Sequence, residues 1–382
     1  MKILGARVQG FRNLADAEYE FSSGVNVLQG DNGHGKTNLL EALNFVALGR
    51  SHRGARAEEL IGHRAAHLHV CVTVQTAVNN VHVLEFGLDR DGGRRFRVDG
   101  EAVAHRADLI GQLATVFFWP QSNELVRGGP EHRRRFADQG LSSLDRDYLR
   151  ALTAHQRALR QKTRLLKDLR HSGRVSGSAR RELVAWNADL AQHAAAIGVG
   201  RACWAQGLAP HAAAVYVALT GTPAPLEFAY RPRLLALAAL AAGPAEKNDL
   251  VEDILAEIDY IGPDEMRRGR PLTGPQFDDF DVRLGSLDLR AYGSQGETRT
   301  AAMSLVLAQS EVVFERRRVR PVLFLDDVFS ELDRERARRL REWCGRDHQV
   351  FVATARADEV SDWHPQRIRR WRVEDGRLAT LP

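Results

Sequence analysis

The sequence predicts an α/β protein: mixed sheets with helices in two parts of the chain, separated by an inserted α-helical hairpin. Three observations carry this. Residues 25–48 read as strand, glycine-rich loop and helix. Residues 322–327 read as a buried strand ending in two carboxylates. Between them, residues 131–218 are rich in Ala, Leu and Arg and carry no strand signal. A chain of 382 residues exceeds one ordinary domain of roughly 150 residues. The expected division is 1–130, an inserted helical arm over 131–218, and 219–382.

The N-terminal part alternates. Ile3, Val8 and Phe11, then Tyr19 and Phe21, then Val25, Val27 and Leu28 fit short strands punctuated by Gly24 and Gly30, because successive strand side chains point to opposite faces. Lys36–Leu48 changes to helical spacing, with Leu39, Leu40, Leu43 and Val46 expected on one side. Val70, Val72 and Val74, then Val81, Val83 and Phe86, are further alternating runs. Asp91-Gly92-Gly93 and Asp99-Gly100 are hairpin turns.

In the insertion, Leu183, Trp186, Leu190, Ala194, Ile197, Trp204 and Leu208 recur at three- and four-residue steps, a heptad-like seam. Leu149, Leu152, Leu159 and Leu166 form a second seam, interrupted at Gln156 and Thr163. His171-Ser172-Gly173 and Ser176-Gly177-Ser178 mark the turn between the two arms. Arms of about 25–30 residues reach roughly 40 Å at 1.5 Å per residue. After Leu226 strands and helices alternate again. Asp249–Tyr260, Thr298–Arg317 and Arg334–Trp343 read as helices. Val350–Ala353 reads as a buried strand, and Asp375-Gly376 as a closing hairpin.

Composition narrows the class. The hydrophobic fraction is 44% and the charged fraction 27%, values of an ordinary folded protein rather than a disordered one. Mean hydropathy is −0.34, and no apolar stretch approaches the ~20 residues of a membrane span. The N-terminus lacks a signal-peptide core. Cys71, Cys203 and Cys344 fit no metal spacing and are expected to be reduced, mostly buried thiols in a cytoplasmic protein. The net charge of +5 is only mildly basic. Arg133-Arg134-Arg135, Arg316-Arg317-Arg318, Arg334–Arg341 and Arg369-Arg370 are local concentrations that make a phosphate-binding surface if the fold collects them.

Gly30-Asp31-Asn32-Gly33-His34-Gly35-Lys36-Thr37 satisfies G-x-x-x-x-G-K-[ST] between a strand and a helix. The glycines let backbone N–H groups turn inward around phosphates, and the helix N-terminus adds positive charge. Lys36 is expected to neutralise β/γ-phosphate charge, and the Thr37 hydroxyl to ligate Mg²⁺. The strand Val322–Leu325 then delivers Asp326 to the metal. Asp327 is placed to polarise the attacking water. Ser294-Gln295-Gly296-Glu297 begins a helix and forms a second anion site. One nucleotide needs only one such site. Ser294 and Gly296 are therefore expected to contact the nucleotide held by a second subunit; an ordinary N-cap with Glu297 in the first turn is the simpler local reading.

The order of these motifs resembles the RecF family of SMC-like, ABC-type ATPases. Gly10-Phe11-Arg12-Asn13, Gly30–Glu41, Gly129-Pro130 with Arg133-Arg134-Arg135-Phe136, Tyr292–Thr300 and Leu325–Asp333 carry the resemblance, which spans nearly the whole chain. It implies an ABC-type P-loop ATPase head with the inserted arm. It implies ATP and Mg²⁺ as cofactors, Arg12 near the phosphates and Ser330-Glu331-Leu332-Asp333 as a dimer-lining loop. Thr354 stands where such ATPases keep a γ-phosphate sensor, although a buried strand-end Thr fits as well. Gln121 stands where a glutamine couples nucleotide to the lobe junction. The implied function is recombinational repair and replication: a weak, DNA-stimulated ATPase that dimerises on ATP and binds duplex DNA or single-strand/duplex junctions. RecR and RecO are the implied partners, and RecA indirectly.

Two segments depart from the family pattern. Pro120-Gln121-Ser122-Asn123-Glu124-Leu125 stands where many members have P-E-D-L, and Thr273-Gly274-Pro275-Gln276-Phe277-Asp278-Asp279 where many have T-G-P-H-R-D-D. A transporter ATPase subunit is the alternative reading. It shares the nucleotide motifs but does not account for the helical insertion or the basic clusters. A metabolite kinase leaves Ser294 and Asp327 unexplained, and a long-range tether needs a longer arm.

Overall fold

A computed structural model describes residues 1–104, 106–109, 111–173, 176–223, 225–241, 247–330, 332–345, 347–360, 363 and 367–381. Along the chain run β1 (Lys2–Gln9), β2 (Ala17–Glu20), β3 (Val25–Gln29), α1 (Lys36–Leu48), β4 (His67–Gln75), β5 (Val81–Asp89), β6 (Arg94–Val98), β7 (Glu101–Val103) and β8 (Thr115–Phe118). Then follow α2 (Glu124–Arg127), α3 (Pro130–Leu144), α4 (Arg146–Ser172), α5 (Gly177–Thr220), β9 (Leu226–Arg231), α6 (Lys247–Arg268), β10 (Asp279–Leu284), β11 (Leu287–Asp288) and α7 (Leu289–Tyr292). The chain closes with α8 (Gln295–Arg317), β12 (Val322–Asp326), α9 (Arg334–Cys344), β13 (Val350–Thr354), β14 (Ile368–Glu374) and β15 (Arg377–Leu381).

The chain divides into two compact units, Met1–Asn123 with His211–Ala224 and Arg299–Pro382, and Glu124–Pro210 with Pro225–Thr298. The first holds two six-stranded sheets. One is antiparallel, in the order β2-β1-β4-β5-β6-β7. The other has the order β15-β14-β3-β13-β12-β8; its pairs from β14 to β8 are parallel and only β15 is antiparallel. β12 and β13 are buried at every position, as parallel strands covered on both faces must be. Helix α1 touches strands of both sheets. Ten of its thirteen residues are buried, on all sides and not along one stripe as the spacing suggested. A helix packed between two sheets has no solvent face to keep polar. Its buried polar side chains include Glu41, partnered by Arg12, and Asn44, partnered by the Thr115 hydroxyl at 2.7 Å.

The second unit contains α4, most of α5, and the small antiparallel sheet β11-β10-β9. Helix α4 is unbroken through Thr163, whose hydroxyl donates back to the Leu159 carbonyl at 2.6 Å. The gaps in its leucine seam arise because polar residues occupy buried positions. His155 and Lys162 lie on the buried face, and the Lys162 ammonium meets the Glu265 carboxylate at 2.6 Å with both side chains almost fully covered.

A second buried network accounts for the departing loop at 273–279. Arg201 pairs with Asp138 at 3.0 Å and with Asp278 at 2.7 Å. Tyr148 and Tyr230 donate to those two carboxylates, and Arg133 pairs with Asp279 at 2.7 Å. Gln276 serves its own turn, donating to the Thr273 carbonyl at 2.7 Å, and Phe277 is half exposed. Burial raises the Asp278 pKa, opposed mainly by the Arg201 charge. Arg201→Met is expected to cost about 3–5 kcal/mol, because removing one member of a buried charged set strands the others. Urea unfolding checks this; a loss below ~1 kcal/mol would show the network to be dispensable.

The three cysteines are free, but only Cys344 is buried. Cys71 is intermediate, and Cys203 is exposed because it falls between the apolar positions of α5. No described helix is long and apolar enough to cross a membrane.

Candidate nucleotide site

Strand β3 runs into the loop Gly30–Thr37 and α1. Gly30 is required by close approach: a Cβ there would sit 2.1 Å from the Val373 carbonyl oxygen on β14. Gly35 caps α1 at φ 107°, a left-handed conformation that suits glycine. Asn13 braces the loop from outside, donating to the Gly33 carbonyl at 2.9 Å. The Lys36 ammonium folds over the loop and donates to the carbonyls of Gly30 at 2.6 Å and Asp31 at 2.8 Å. Burial lowers the Lys36 pKa, while Asp326, Asp327 and Asp31 pull it back up.

β13 lies between β3 and β12, so the loop and the end of β12 share one edge of the sheet. The Thr37 hydroxyl donates to Asp326 Oδ1 at 2.9 Å, across 289 residues of sequence. Burial raises the Asp326 pKa to about 6, opposed by the Thr37 hydrogen bond and the Arg53 charge. Asp327 follows at φ 50°. Its N–H donates to the Ala353 carbonyl at 2.9 Å, and its carbonyl accepts from the Ser330 hydroxyl at 3.1 Å. A cavity of about 290 Å³ is lined by Asn32, Gly33, Gly35, Lys36, Thr37, Asn38, Arg53, Pro120, Asp326 and Asp327.

Not every expected residue faces this cavity. Arg12 pairs with Glu41 at 2.7 Å and lines a separate, larger cleft. His34 is turned to the β14–β15 hairpin, where its Nδ1 accepts from the Asp375 N–H at 2.9 Å. Gln121 is exposed on a 3-10 turn, and its neighbour Pro120 lines the cavity instead. The Thr354 hydroxyl is occupied by Glu359 at 2.6 Å and the Arg356 carbonyl at 3.1 Å. Ser294, Gln295, Gly296 and Glu297 belong to the second unit. They form a reciprocal capping box: the Ser294 N–H donates to Glu297 Oε2 at 2.9 Å, and the Glu297 N–H to the Ser294 hydroxyl at 3.3 Å. Ser294 and Gln295 are exposed. In the following loop, Asp333 caps α9, accepting from the Arg336 N–H at 2.8 Å; Glu331 lies outside the described residues.

Two cations have roles that sequence reasoning did not assign. Arg53 lines the cavity and acts on Asp326 by charge. It stands in a loop with no motif, five residues past helix α1, where Gly49 at φ 62° turns the chain. Buried Arg299 donates to the carbonyls of Asp327 at 3.4 Å and Val328 at 3.3 Å. Its only sequence signal is its place in the first turns of α8.

The donor set suits a small hard cation. A hydroxyl and a carboxylate already share a position, and Mg²⁺ takes one or two protein oxygens and completes its shell with phosphate and water. Among the described residues no cluster of three or more His, Cys, Asp or Glu side chains forms a separate metal site.

The sequence model of the RecF/RecN/SMC N-terminal domain family matches residues 2–375. The DNA replication and repair protein RecF of Synechococcus sp. (strain JA-3-3Ab) is 33% identical over 97% of this chain and 96% of its own. RecF of Macrococcus caseolyticus is 30% identical over the full length of both. Among solved structures, the recombination mediator protein RecF in its RecF-ATP form, of the RecFOR pathway, aligns with a TM-score of 0.89 at 28% identity, covering 100% of this chain and 98% of that one. An Smc head bound to the C-winged helix domain of ScpA, at 15% identity and a TM-score of 0.54, shares the fold. With the loop Gly30–Thr37 set beside Asp326 on the sheet of an ABC-type ATPase head, the chain belongs to the RecF family.

Proposed function

We propose that the chain is an ATP-gated DNA-binding protein of replication and recombinational repair. The single observation that carries this is the 2.9 Å contact between Thr37 and Asp326, which brings the two distant motifs to one cavity with Lys36 and Asp327. In this reading the loop N–H groups and Lys36 hold the triphosphate. Thr37 and Asp326 hold Mg²⁺, which neutralises charge on the phosphate oxygens when bound. Asp327 orients the attacking water and accepts its proton. Arg299 and Ser330 fix the Asp327 backbone, and so its carboxylate.

The helix start at Ser294–Glu297, exposed at Ser294 and Gln295, is assigned to the nucleotide of a second copy, so ATP closes a homodimer. Gln121 and Arg12 are assigned coupling and phosphate roles that they take up on closure. Hydrolysis is weak and DNA-stimulated, and it serves as a release switch. Duplex DNA or a single-strand/duplex junction is the target, with RecO and RecR as partners in loading RecA. A transporter subunit is not favoured, since the curated relatives covering this whole chain are replication and repair proteins.

The test is dimerisation and DNA binding with ATP, ADP and a slowly hydrolysed analogue. Wild type is expected to dimerise and bind DNA with ATP or the analogue. Ser294→Arg, which puts a bulky cation where a phosphate must dock, is expected to retain nucleotide binding and lose at least tenfold in DNA affinity. DNA binding indifferent to nucleotide, with a wild-type Ser294→Arg, overturns the reading.

A further inference from the structure

We infer that the exposed face of α4 is the surface that receives nucleic-acid phosphates; this rests on the DNA-binding reading and names its contact surface. Helix α4 carries eight Lys and Arg against two Asp. That excess of six is larger than the +5 of the whole chain. Seven of the eight cations are exposed and Lys162 alone is buried, on Glu265; the helix contains none of the arginine runs that stand out in sequence.

Most residues of the runs are committed elsewhere, while Arg135, Arg316, Arg318 and Arg334 are exposed at scattered positions. Arg133 is buried on Asp279, and Arg134 donates to the Asp278 carbonyl at 2.7 Å. On α9, Arg338 and Arg339 are paired with Glu335 and Glu342, and Arg341 donates to the Glu359 carbonyl. Arg369 donates to the Glu20 carbonyl, and Arg370 to that of Trp363. Arg317 is engaged as well.

On α4 the arrangement differs. Arg157, Arg160, Arg164 and Lys167 are exposed. At 100° per residue they fall within about 80° of one another, along roughly 15 Å of helix. The buried residues Tyr148, Leu152, His155, Lys162 and Leu166 take the opposite side. No described acid pairs with these four cations. Asp168 stands at the edge of the row without forming an ion pair, and at the helix start Arg150 is matched with Asp147 at 3.0 Å. A groove of about 390 Å³ runs along the row, bordered by Leu159, Arg160, Thr163, Arg164, Lys167 and Asp168. Four like charges held unpaired on one face repel each other unless a polyanion lies across them. No aromatic side chain interleaves the row, so the chemistry fits phosphates and not bases. A phosphodiester backbone supplies negative charge at matching intervals.

The experiment titrates a fluorescent 30-base-pair duplex with the full-length chain and a slowly hydrolysed ATP analogue over a range of salt. It compares wild type, Arg160→Gln/Arg164→Gln, and the α9 control Arg338→Gln/Arg339→Gln. Both α4 positions are exposed and Gln is a good helix former, so melting temperature and nucleotide affinity are expected to match wild type. The α4 variant is expected to bind DNA at least tenfold more weakly. Its slope of log affinity against log salt is expected to be smaller by about two per contacting protomer. The α9 control is expected to bind as wild type does. Wild-type DNA affinity and slope in the α4 variant overturn the inference alone. A wild-type chain that ignores the duplex with every nucleotide overturns the DNA-binding reading first, and this surface with it. Duplex binding kept while binding of polyglutamate is lost assigns the row to an acidic protein and also overturns it.

Discussion

Asp327→Asn is expected to slow ATP hydrolysis at least 100-fold while leaving ATP affinity near wild type, so that a nucleotide-closed dimer accumulates on DNA. The magnitude follows from removing a positioned proton acceptor. The substitution is clean because residue 327 sits at φ 50°, a left-handed conformation that Asn tolerates as well as Asp. The backbone contacts to Ala353, Arg299 and Ser330 do not depend on the carboxylate. Single-turnover hydrolysis and a filter-binding Kd separate the two effects. Unchanged turnover would remove Asp327 from the reaction. Asp327→Glu reaches farther and is expected to hydrolyse faster, with a lower melting temperature, since a longer side chain at this φ is less well tolerated.

The second large effect concerns acid. Burial pushes the pKa of His52 down to about 3, aided by the Arg53 and Arg12 charges. It pushes those of His155 and His348 down to about 4. Each is depressed below the unfolded value of about 6.5, so the unfolded chain binds protons that the folded chain refuses. The stability is complete above pH 6.5 and is lost as pH falls toward 4. At pH 5 each histidine costs about 2 kcal/mol. In the unit holding His52 and His348, Asp326 works in the opposite sense, because its raised pKa favours the folded form on acidification; it offsets roughly 1 kcal/mol. That unit is expected to lose about 3 kcal/mol between pH 7 and pH 5. His52 stacks on Phe117 at 3.9 Å with neither ring nitrogen hydrogen-bonded, so His52→Phe keeps the packing and is expected to recover about 2 kcal/mol of that loss. Urea unfolding at both pH values decides it; an identical acid loss in the variant refutes the assignment to His52.

Both predictions depend on features of unequal visibility in the chain. The loop Gly30–Thr37 announces itself because phosphate binding needs glycines and a lysine at fixed spacing, and α1 begins and ends where its pattern indicates. Asp326 is visible as the polar end of an apolar run. The hairpins at Gly92, Gly100 and Gly376 are visible because their turns require φ > 0. By contrast, His155 and Lys162 look like interruptions of a seam, since hydrophobic periodicity cannot distinguish a buried, partnered polar residue from a solvent-facing one. The arginine runs mislead for the same reason. Adjacent residues on a helix point in different directions, so a run such as Arg133-Arg134 spreads its charges among several partners. The α4 row is spaced by three and four and never reads as a cluster.

Local patterning therefore established the α/β class, the motif order and the strand, glycine-rich loop and helix around Gly30–Thr37, because each depends on interactions within a few residues. The meeting of Thr37 with Asp326, the gripping of Asp327 by Arg299, the burial of His52 and the pairing of Arg133 and Arg201 with Asp279 and Asp278 were settled by folding. Most of these join residues distant in sequence, and charge and burial are properties of a position in space, which no window of sequence contains.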